Sequence, residues 1–203
     1  MKKKTVISKN IFNTERFLKD GKPVVIKTET LYGILGNALN KNTVEYIYKI
    51  KGRNTNKPFI ILISSISDLK NFGIAPNEIE RRLLSLKGLT VVLDINNPKF
   101  RYLHRGTNSL AFRIPAKENL LKLLGRLDFP LVAPSCNPEG KEPAKNIEEA
   151  IKYFGEKIPI YIDEGENLNK KPSTIVKIKG SQIIILREGN YTKQDLFSLL
   201  KKL

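Results

Sequence analysis

The sequence contains no tryptophan and only one methionine, one cysteine and one histidine among 203 residues. A lone cysteine forbids an intrachain disulfide, and one Cys with one His cannot assemble a typical zinc site. No apolar run approaches the ~18 residues that a membrane span requires. The start, Met1 to Lys4, is basic, but Thr5 to Asn10 supplies no apolar stretch of ~7–15 residues behind it, so no signal peptide is expected. These absences predict a soluble, cytoplasmic protein. Acidic residues are also scarce, 20 Asp+Glu against 36 Lys+Arg, for a net charge of +16. Such a field attracts nucleotide phosphates or RNA. The lysines are scattered, however, and the richness in Lys, Asn and Ile fits a compositional bias equally well. Basicity signals affinity for phosphate and carries no specificity.

What is present reads as one mixed α/β domain over residues 1–203: a twisted sheet with parallel and antiparallel pairings, flanked by helices. A first helix is expected from an Asn13 N-cap to Gly21, and a strand from Pro23 to Lys27 that delivers Thr28-Glu29-Thr30 at its C-terminal end. Asn42 and Glu45 resemble a capping box, with Val44, Ile47 and Tyr48 as the buried stripe of the helix they open. Phe59 to Ile63 lacks alternation and predicts a strand buried on both faces. Further strands are expected over 89–93, 110–114, 131–133, 159–163, 174–178 and 182–186, the last two joined as a hairpin through Lys179-Gly180-Ser181. Helices are expected over 77–86, along Leu120, Leu123, Leu124 and Leu127, after Asn146, and after Thr192, where Leu196, Leu199, Leu200 and Leu203 align.

Standard nucleotide signatures are missing: no G-x-x-x-x-G-K-[ST], no G-x-G-x-x-G after a strand, no kinase catalytic loop. His104 lies in a basic segment and is expected at the surface; Cys136 has no His partner and is expected to pack as a small residue. Polar residues gather at predicted strand ends in Thr28–Gly33, in Lys51-Gly52-Arg53 with Lys57, in Ser109–Arg113, in Ser135-Cys136-Asn137, and in Ser173-Thr174 with Arg187. Hydroxyls at one end and cations at the other suit a phosphorylated small molecule, since Arg and Lys give charge-assisted bonds to phosphoryl oxygens. Each segment alone reads better as a turn, a solvated face or a loop of turn formers.

Taken together they resemble a family. Thr28-Glu29-Thr30-Leu31-Tyr32-Gly33, then Lys51-Gly52-Arg53, then Ala133 to Gly140 are similar to the P-T-E-T-x-Y-G, K-x-R and A-P-S-x-N-x-x-G motifs of the YrdC/TsaC family of threonylcarbamoyl-AMP synthases. Ala111 to Pro115, Pro172 to Val176 and Leu186 to Gly189 match further motifs in the same order. The resemblance runs from about Val24 to Thr192.

The resemblance implies that L-threonine, bicarbonate and ATP, with Mg²⁺, are joined into threonylcarbamoyl-adenylate with release of pyrophosphate. Separate proteins would then transfer the group to the adenosine beside the tRNA anticodon. Carried over residue by residue, it assigns Lys51, Arg53, Lys57, Ser109, Ser135, Asn137 and Arg187 to ATP, with Lys51, Arg53, Ser135 and Asn137 as the catalytic set. It assigns Thr30, Tyr32, Arg113, Ser173, Leu62 and the backbone at Ala133 to threonine, with no protein metal ligand. The length fits the family's short form, without a further C-terminal domain. Departures are Lys27 for proline, Leu35 for glycine, Leu86 to Thr90, Cys136 for alanine, Glu188 for proline and the Glu142-Pro143-Ala144 region. Leu35 is expected to matter most, because a glycine there allows close backbone approach. Two other readings stay open: an RNA-binding module using the basic surface, and a YciO-like paralogue acting on another acyl or carbamoyl substrate. The intact Lys51, Arg53, Ser135 and Asn137 argue against the paralogue.

Overall fold

Side chains of the apolar runs alternate between two cores. Val24, Ile26, Leu35, Leu62, Ile160 and Ile162 enter one cluster, while Val25, Ile34, Ile61 and Tyr161 enter the other. Successive strand residues point to opposite faces, so a sheet covered on both sides needs runs apolar throughout. The computed structural model describes residues 5–167, 171–180 and 182–201. Its strands are β1 (Val6–Ser8), β2 (Val24–Lys27), β3 (Tyr32–Asn37), β4 (Ile60–Leu62), β5 (Thr90–Asp94), β6 (Ser109–Arg113), β7 (Leu131–Val132), β8 (Ile160–Ile162), β9 (Ile175–Lys179) and β10 (Gln182–Arg187). Among the described residues they form one sheet in the order β1-β8-β2-β3-β7-β4-β6-β5-β9-β10. β4 with β6 and β5 with β9 run parallel; β2 with β3, β3 with β7 and β9 with β10 run antiparallel.

The helices are α1 (Glu15–Lys19), α2 (Lys41–Lys51), α3 (Glu78–Ser85), α4 (Arg101–His104), α5 (Glu118–Arg126), α6 (Ile147–Phe154) and α7 (Lys193–Lys201). Leu18 of α1 and Leu120, Leu123 and Leu124 of α5 cover one face; α2, α3 and α6 cover the other. The mixed sheet and its flanking helices agree with the expectation. The expected hairpin is β9–β10; Ser181 of its turn lies outside the described residues. Thr192 and Asp195 cap α7 reciprocally and Leu196 is buried. Leu203 and the side chains of Leu199 and Leu200 lie outside the described residues.

Several local expectations need correction. Asn10, not Asn13, caps the first helical segment, a 3-10 turn over Ile11–Thr14 that leads into α1. Asn40, not Asn42, caps α2, accepting from Thr43 N at 3.1 Å. In both cases an Asn two or three residues upstream already has the extended backbone that a cap needs. β1 was not foreseen, its three residues being too short for a pattern. Nor was β3, which two glycines disguise. Gly36 is there because a Cβ would stand 2.7 Å from Thr43 and 2.8 Å from Ile47, where α2 presses onto the strand. His104 is buried rather than at the surface: α4 turns Leu103 and His104 inward, and its Nδ1 accepts from Gly106 N at 3.2 Å. Cys136 packs as expected, with burial pushing its thiol up to about 12 despite the nearby Lys51 charge.

Candidate active site

Strand ends converge on one cleft of about 200 Å³. Its walls come from the β2–β3 turn (Thr28, Thr30, Tyr32), the segment entering β4 (Arg53, Phe59, Ile60), the end of β6 (Arg113), the β7 exit (Ala133, Pro134, Ser135), Ser173 before β9, and Arg187 ending β10. Ligand pockets for drug-sized molecules run about 300–1,000 Å³. The enclosed part therefore suits a small amino acid, with a larger ligand extending over the rim.

Hydroxyl chemistry shapes the β2–β3 turn. Thr28 Oγ1 accepts from Thr30 N and Leu31 N, both at 3.1 Å, and donates to Leu31 O at 2.7 Å. That knot holds Thr30 Oγ1 3.0 Å from Thr28 Oγ1. Arg113 Nη1 lies 3.5 Å from the same Thr30 hydroxyl, and its Nε stands 3.4 Å from Glu29. Arg113 is 3% exposed, and desolvation lowers its pKa, with Glu29 opposing the shift. The Tyr32 hydroxyl donates to Gly165 O at 2.8 Å and accepts from Glu164 N at 3.2 Å. Burial raises its pKa to about 12, and the ring lines the cleft while its hydroxyl is tied to the 164–165 backbone.

Arg187 is fixed differently. Its Nε and Nη2 donate to Ser173 O at 3.0 and 2.9 Å, and Nη2 also reaches Ser173 Oγ at 3.1 Å. Burial, and then the Arg113 charge, lower its pKa. Two guanidinium groups that repel across one cleft leave a place for an anion. The chain after β10 must pass very close for this. A Cβ on Gly189 would lie 2.1 Å from Pro172 O and 2.6 Å from Ser173 C. We therefore expect Gly189→Ala to displace Ser173 and Arg187 together. Thermal denaturation should show a loss of about 2 kcal/mol or more, in the range of overpacked sites.

The K-G-R segment straddles a helix end. Gly52 takes the left-handed conformation, φ 59°, that closes α2. Lys51 thus still points into the fold, while Arg53 has already turned to the cleft. Lys51 is 2% exposed, and its ammonium donates to Ser135 O and Asn137 O, with Asn137 Oδ1 at 3.4 Å. It does not line the cleft; it holds from below the loop that carries Ser135. Asn137 completes that loop, accepting from Ser135 Oγ at 2.6 Å and donating to Lys141 O at 2.6 Å. Lys57 pairs with Glu139 at 3.1 Å, outside the cleft, and Asn54 N donates to the same carboxylate.

Of the residues singled out in the sequence, Thr30, Tyr32, Arg53, Arg113, Ala133, Ser135, Ser173 and Arg187 share the cleft. Ser109 does not: it opens β6, four residues and about 13 Å along the strand from Arg113. Leu62 does not either, its side chain lying in the core beneath α5 while Ile60 faces the cleft. Leu35 lies in that same core, paired with Val24, so the departure from glycine fills packing space rather than the cleft. The Glu142–Ala144 region lies outside the cleft, with Ala144 N donating to Cys136 O at 2.9 Å. Phe59, Ile60 and Ile175 line the cleft unforeseen; their apolar strand positions carried no signal. Among the described residues no group of three or more His, Cys, Asp or Glu could hold a metal. Nor is any helix among them long and apolar enough to cross a membrane.

The mixed α/β sheet presents an arginine- and hydroxyl-lined cleft at its strand ends, a lining with the donors that a small anion requires. The chain belongs to the Sua5/YciO/YrdC family, described as telomere recombination, whose sequence pattern matches residues 16–189. It is 33% identical over 184 residues to the threonylcarbamoyl-AMP synthase of Pyrococcus abyssi, covering 89% of this chain and 54% of that one. A putative threonylcarbamoyl-AMP synthase of Methanocaldococcus jannaschii is 34% identical over 180 residues, 87% and 84% of the two chains. The chain thus spans about half the length of the Pyrococcus relative. The crystal structure of P. abyssi Sua5 complexed with L-threonine superposes with a TM-score of 0.88 at 30% identity, over 98% of this chain and 62% of that one. Escherichia coli YciO, 20% identical, shares the fold with a TM-score of 0.78.

Proposed function

We propose that this chain makes L-threonylcarbamoyl-adenylate from L-threonine, bicarbonate and ATP, releasing pyrophosphate. The observation that carries the reading is the cleft, which presents Arg113, Arg187 and the Thr30, Ser135 and Ser173 hydroxyls around a volume sized for one amino acid. The Pyrococcus homologue whose structure holds L-threonine supports the same assignment.

In this reading Arg113 and Thr30 take the threonine carboxylate, with Tyr32, Ser173 and the Ala133 backbone around the side chain. The threonine amine attacks CO₂ or bicarbonate, losing a proton or water, to give a carbamate. A carbamate oxygen then attacks the α-phosphorus, and the bond to the β-phosphate oxygen breaks with pyrophosphate leaving. Neither step needs a nucleophile from the protein, in keeping with a buried Cys136 and a buried, backbone-bonded His104. The protein must align two anions and offset the charge growing at phosphorus. Arg53, Arg187 and Ser135 serve that end, Lys51 and Asn137 by holding the Ser135 loop, and Lys57 at the rim. Ser109 opens β6 two residues before Ala111, the partner of Ile60, and so lies towards the Lys57 end, where the triphosphate would extend over the rim. The cleft lacks the carboxylates of a resident Mg²⁺ site, so the ion is given no side-chain ligand here. The product suits a later step that moves the threonylcarbamoyl group to tRNA through separate proteins, in the cytoplasm. The +16 charge favours, in addition, contact with RNA that weakens steeply with salt.

The test is pyrophosphate release with each substrate omitted in turn. Release is expected to require both threonine and bicarbonate, and to fall about 100-fold in Arg53→Ala. Folded protein that turns over ATP equally well without threonine would overturn the assignment.

A further inference from the structure

Three side chains to which the proposed chemistry gives no role, Arg105, Tyr48 and Phe59, form a column that ends on Arg53 at the cleft wall. The Arg105 guanidinium lies 3.9 Å from the Tyr48 ring centroid, and the Phe59 ring lies 3.9 Å from the same centroid, inclined by 17°. Two groups that close to one ring centre must occupy its opposite faces. The Arg53 guanidinium then lies 5.4 Å from the Phe59 ring, within cation–π reach. Cation, ring, ring and cation follow in order, from the back of α2 to the wall of the cleft.

The far end is held at a cost. Arg105 pairs with Glu45 at 3.0 Å, yet its Nε and Nη2 are buried and make no hydrogen bond among the described residues. Its backbone is left-handed, φ 53°, which is unfavourable for a residue other than glycine. Unfavourable conformations kept in place point towards a function. The near end is held twice over. The Tyr48 hydroxyl donates to Lys57 O at 2.9 Å, and Arg53 Nε donates to that same oxygen at 3.3 Å. The column and the 53–57 turn therefore lock each other.

We propose that Arg105, Tyr48 and Phe59 are positioning residues that fix the Arg53 guanidinium at the cleft wall and so set the affinity for the nucleotide phosphates. This rests on the reading of Arg53 as a phosphate contact. An arginine held before the ligand arrives loses less freedom on binding, and each immobilised side chain of this kind is worth a few-fold in affinity. Arg105 and Tyr48 lie outside the cleft lining, so their influence on it passes through Phe59 and Arg53.

The experiment is steady-state kinetics on the full chain, varying ATP at saturating threonine and bicarbonate. Arg105→Met, which keeps an aliphatic stem against Tyr48, is expected to raise the KM for ATP about three- to ten-fold. The kcat and the KM for threonine stay as they are. Tyr48→Phe keeps both rings, removes only the bond to Lys57 O, and raises the ATP KM less. In an Arg53→Ala background, Arg105→Met is expected to add nothing, because the column acts through that guanidinium. A merely structural role predicts the same added effect in both backgrounds, and that outcome overturns the proposal. So does an unchanged ATP KM in Arg105→Met when Arg53→Ala raises it. If Arg53→Ala itself leaves the ATP KM unchanged, the phosphate reading of Arg53 fails first and takes the column's role with it.

Discussion

Arg113→Met is expected to lower threonine-dependent pyrophosphate release by at least about 100-fold and stability by about 3–5 kcal/mol. Two separate causes add here. The guanidinium is the partner proposed for the threonine carboxylate, and a charged donor aimed at a small carboxylate cannot be replaced by a thioether. It also stands 3.4 Å from Glu29, and both side chains are shielded from solvent, at 4% and 14% exposure. Removing one member of a buried pair takes from the other charge the partner that offsets its desolvation here, which costs more than the pair contributed when intact. The double variant Glu29→Gln/Arg113→Met separates the two causes. It carries no buried charge at this position, so chemical denaturation should show most of the lost stability restored. Activity should stay at the level of the single variant. Recovery of activity in the double variant would mean that Arg113 serves the fold and not the substrate.

The strands were legible where burial on both faces leaves unbroken apolar runs, as at Phe59 to Ile63 and Val24 to Ile26. β3 was not, although it carries Tyr32 and Gly33 at the centre of the site. Its two glycines interrupt the apolar run, whereas Gly36 answers to the close approach of α2. A glycine imposed by a neighbour far away in the chain looks, in one dimension, like a glycine imposed by a turn. The helix starts at Asn13 and Asn42 were misplaced for a related reason: several Asn residues cluster there, and the backbone conformation that selects the cap is not visible in residue type.

Within the site, the residues at strand ends were legible because their polar character interrupts apolar surroundings. Arg113 at the end of β6 and Ser135 after β7 are of this kind. What sequence order hid was direction. Lys51 and Arg53 lie two residues apart and look like one cationic cluster, but Gly52 ends α2 between them, leaving Lys51 buried on the Ser135 and Asn137 carbonyls and Arg53 on the cleft wall. The Ser109–Arg113 segment likewise spreads along a strand, its two ends about 13 Å apart, so that only Arg113 reaches the enclosed cleft.

Lys51→Met gives the second large effect, and pH distinguishes its causes. Burial pulls the Lys51 ammonium down to about 8, from the ordinary 10.5. Between those values the unfolded chain binds a proton that the folded chain has released, so stability rises with pH through that window. Below pH 8 both states are protonated and the cost of burying the charge is present in full. At about 1.4 kcal/mol per pH unit, the wild type should gain about 3 kcal/mol relative to Lys51→Met between pH 8 and 10.5. At neutral pH the two proteins should differ less in stability than in activity. The variant escapes the buried charge but leaves the carbonyls of Ser135 and Asn137 without their donor, at about 1–3 kcal/mol each. Activity has no such compensation. The ammonium holds the backbone on either side of Cys136, and a shift of that loop by ~1 Å moves the Ser135 hydroxyl away from the nucleotide, which costs about 100-fold in turnover. Urea unfolding of both proteins at pH 7, 8, 9 and 10 provides the comparison, with pyrophosphate release measured at pH 7. Stability curves that run parallel across this range would show that Lys51 keeps its proton, held by the carbonyls that surround it. Full activity in the variant would show that the Ser135 loop holds its shape without the ammonium beneath it.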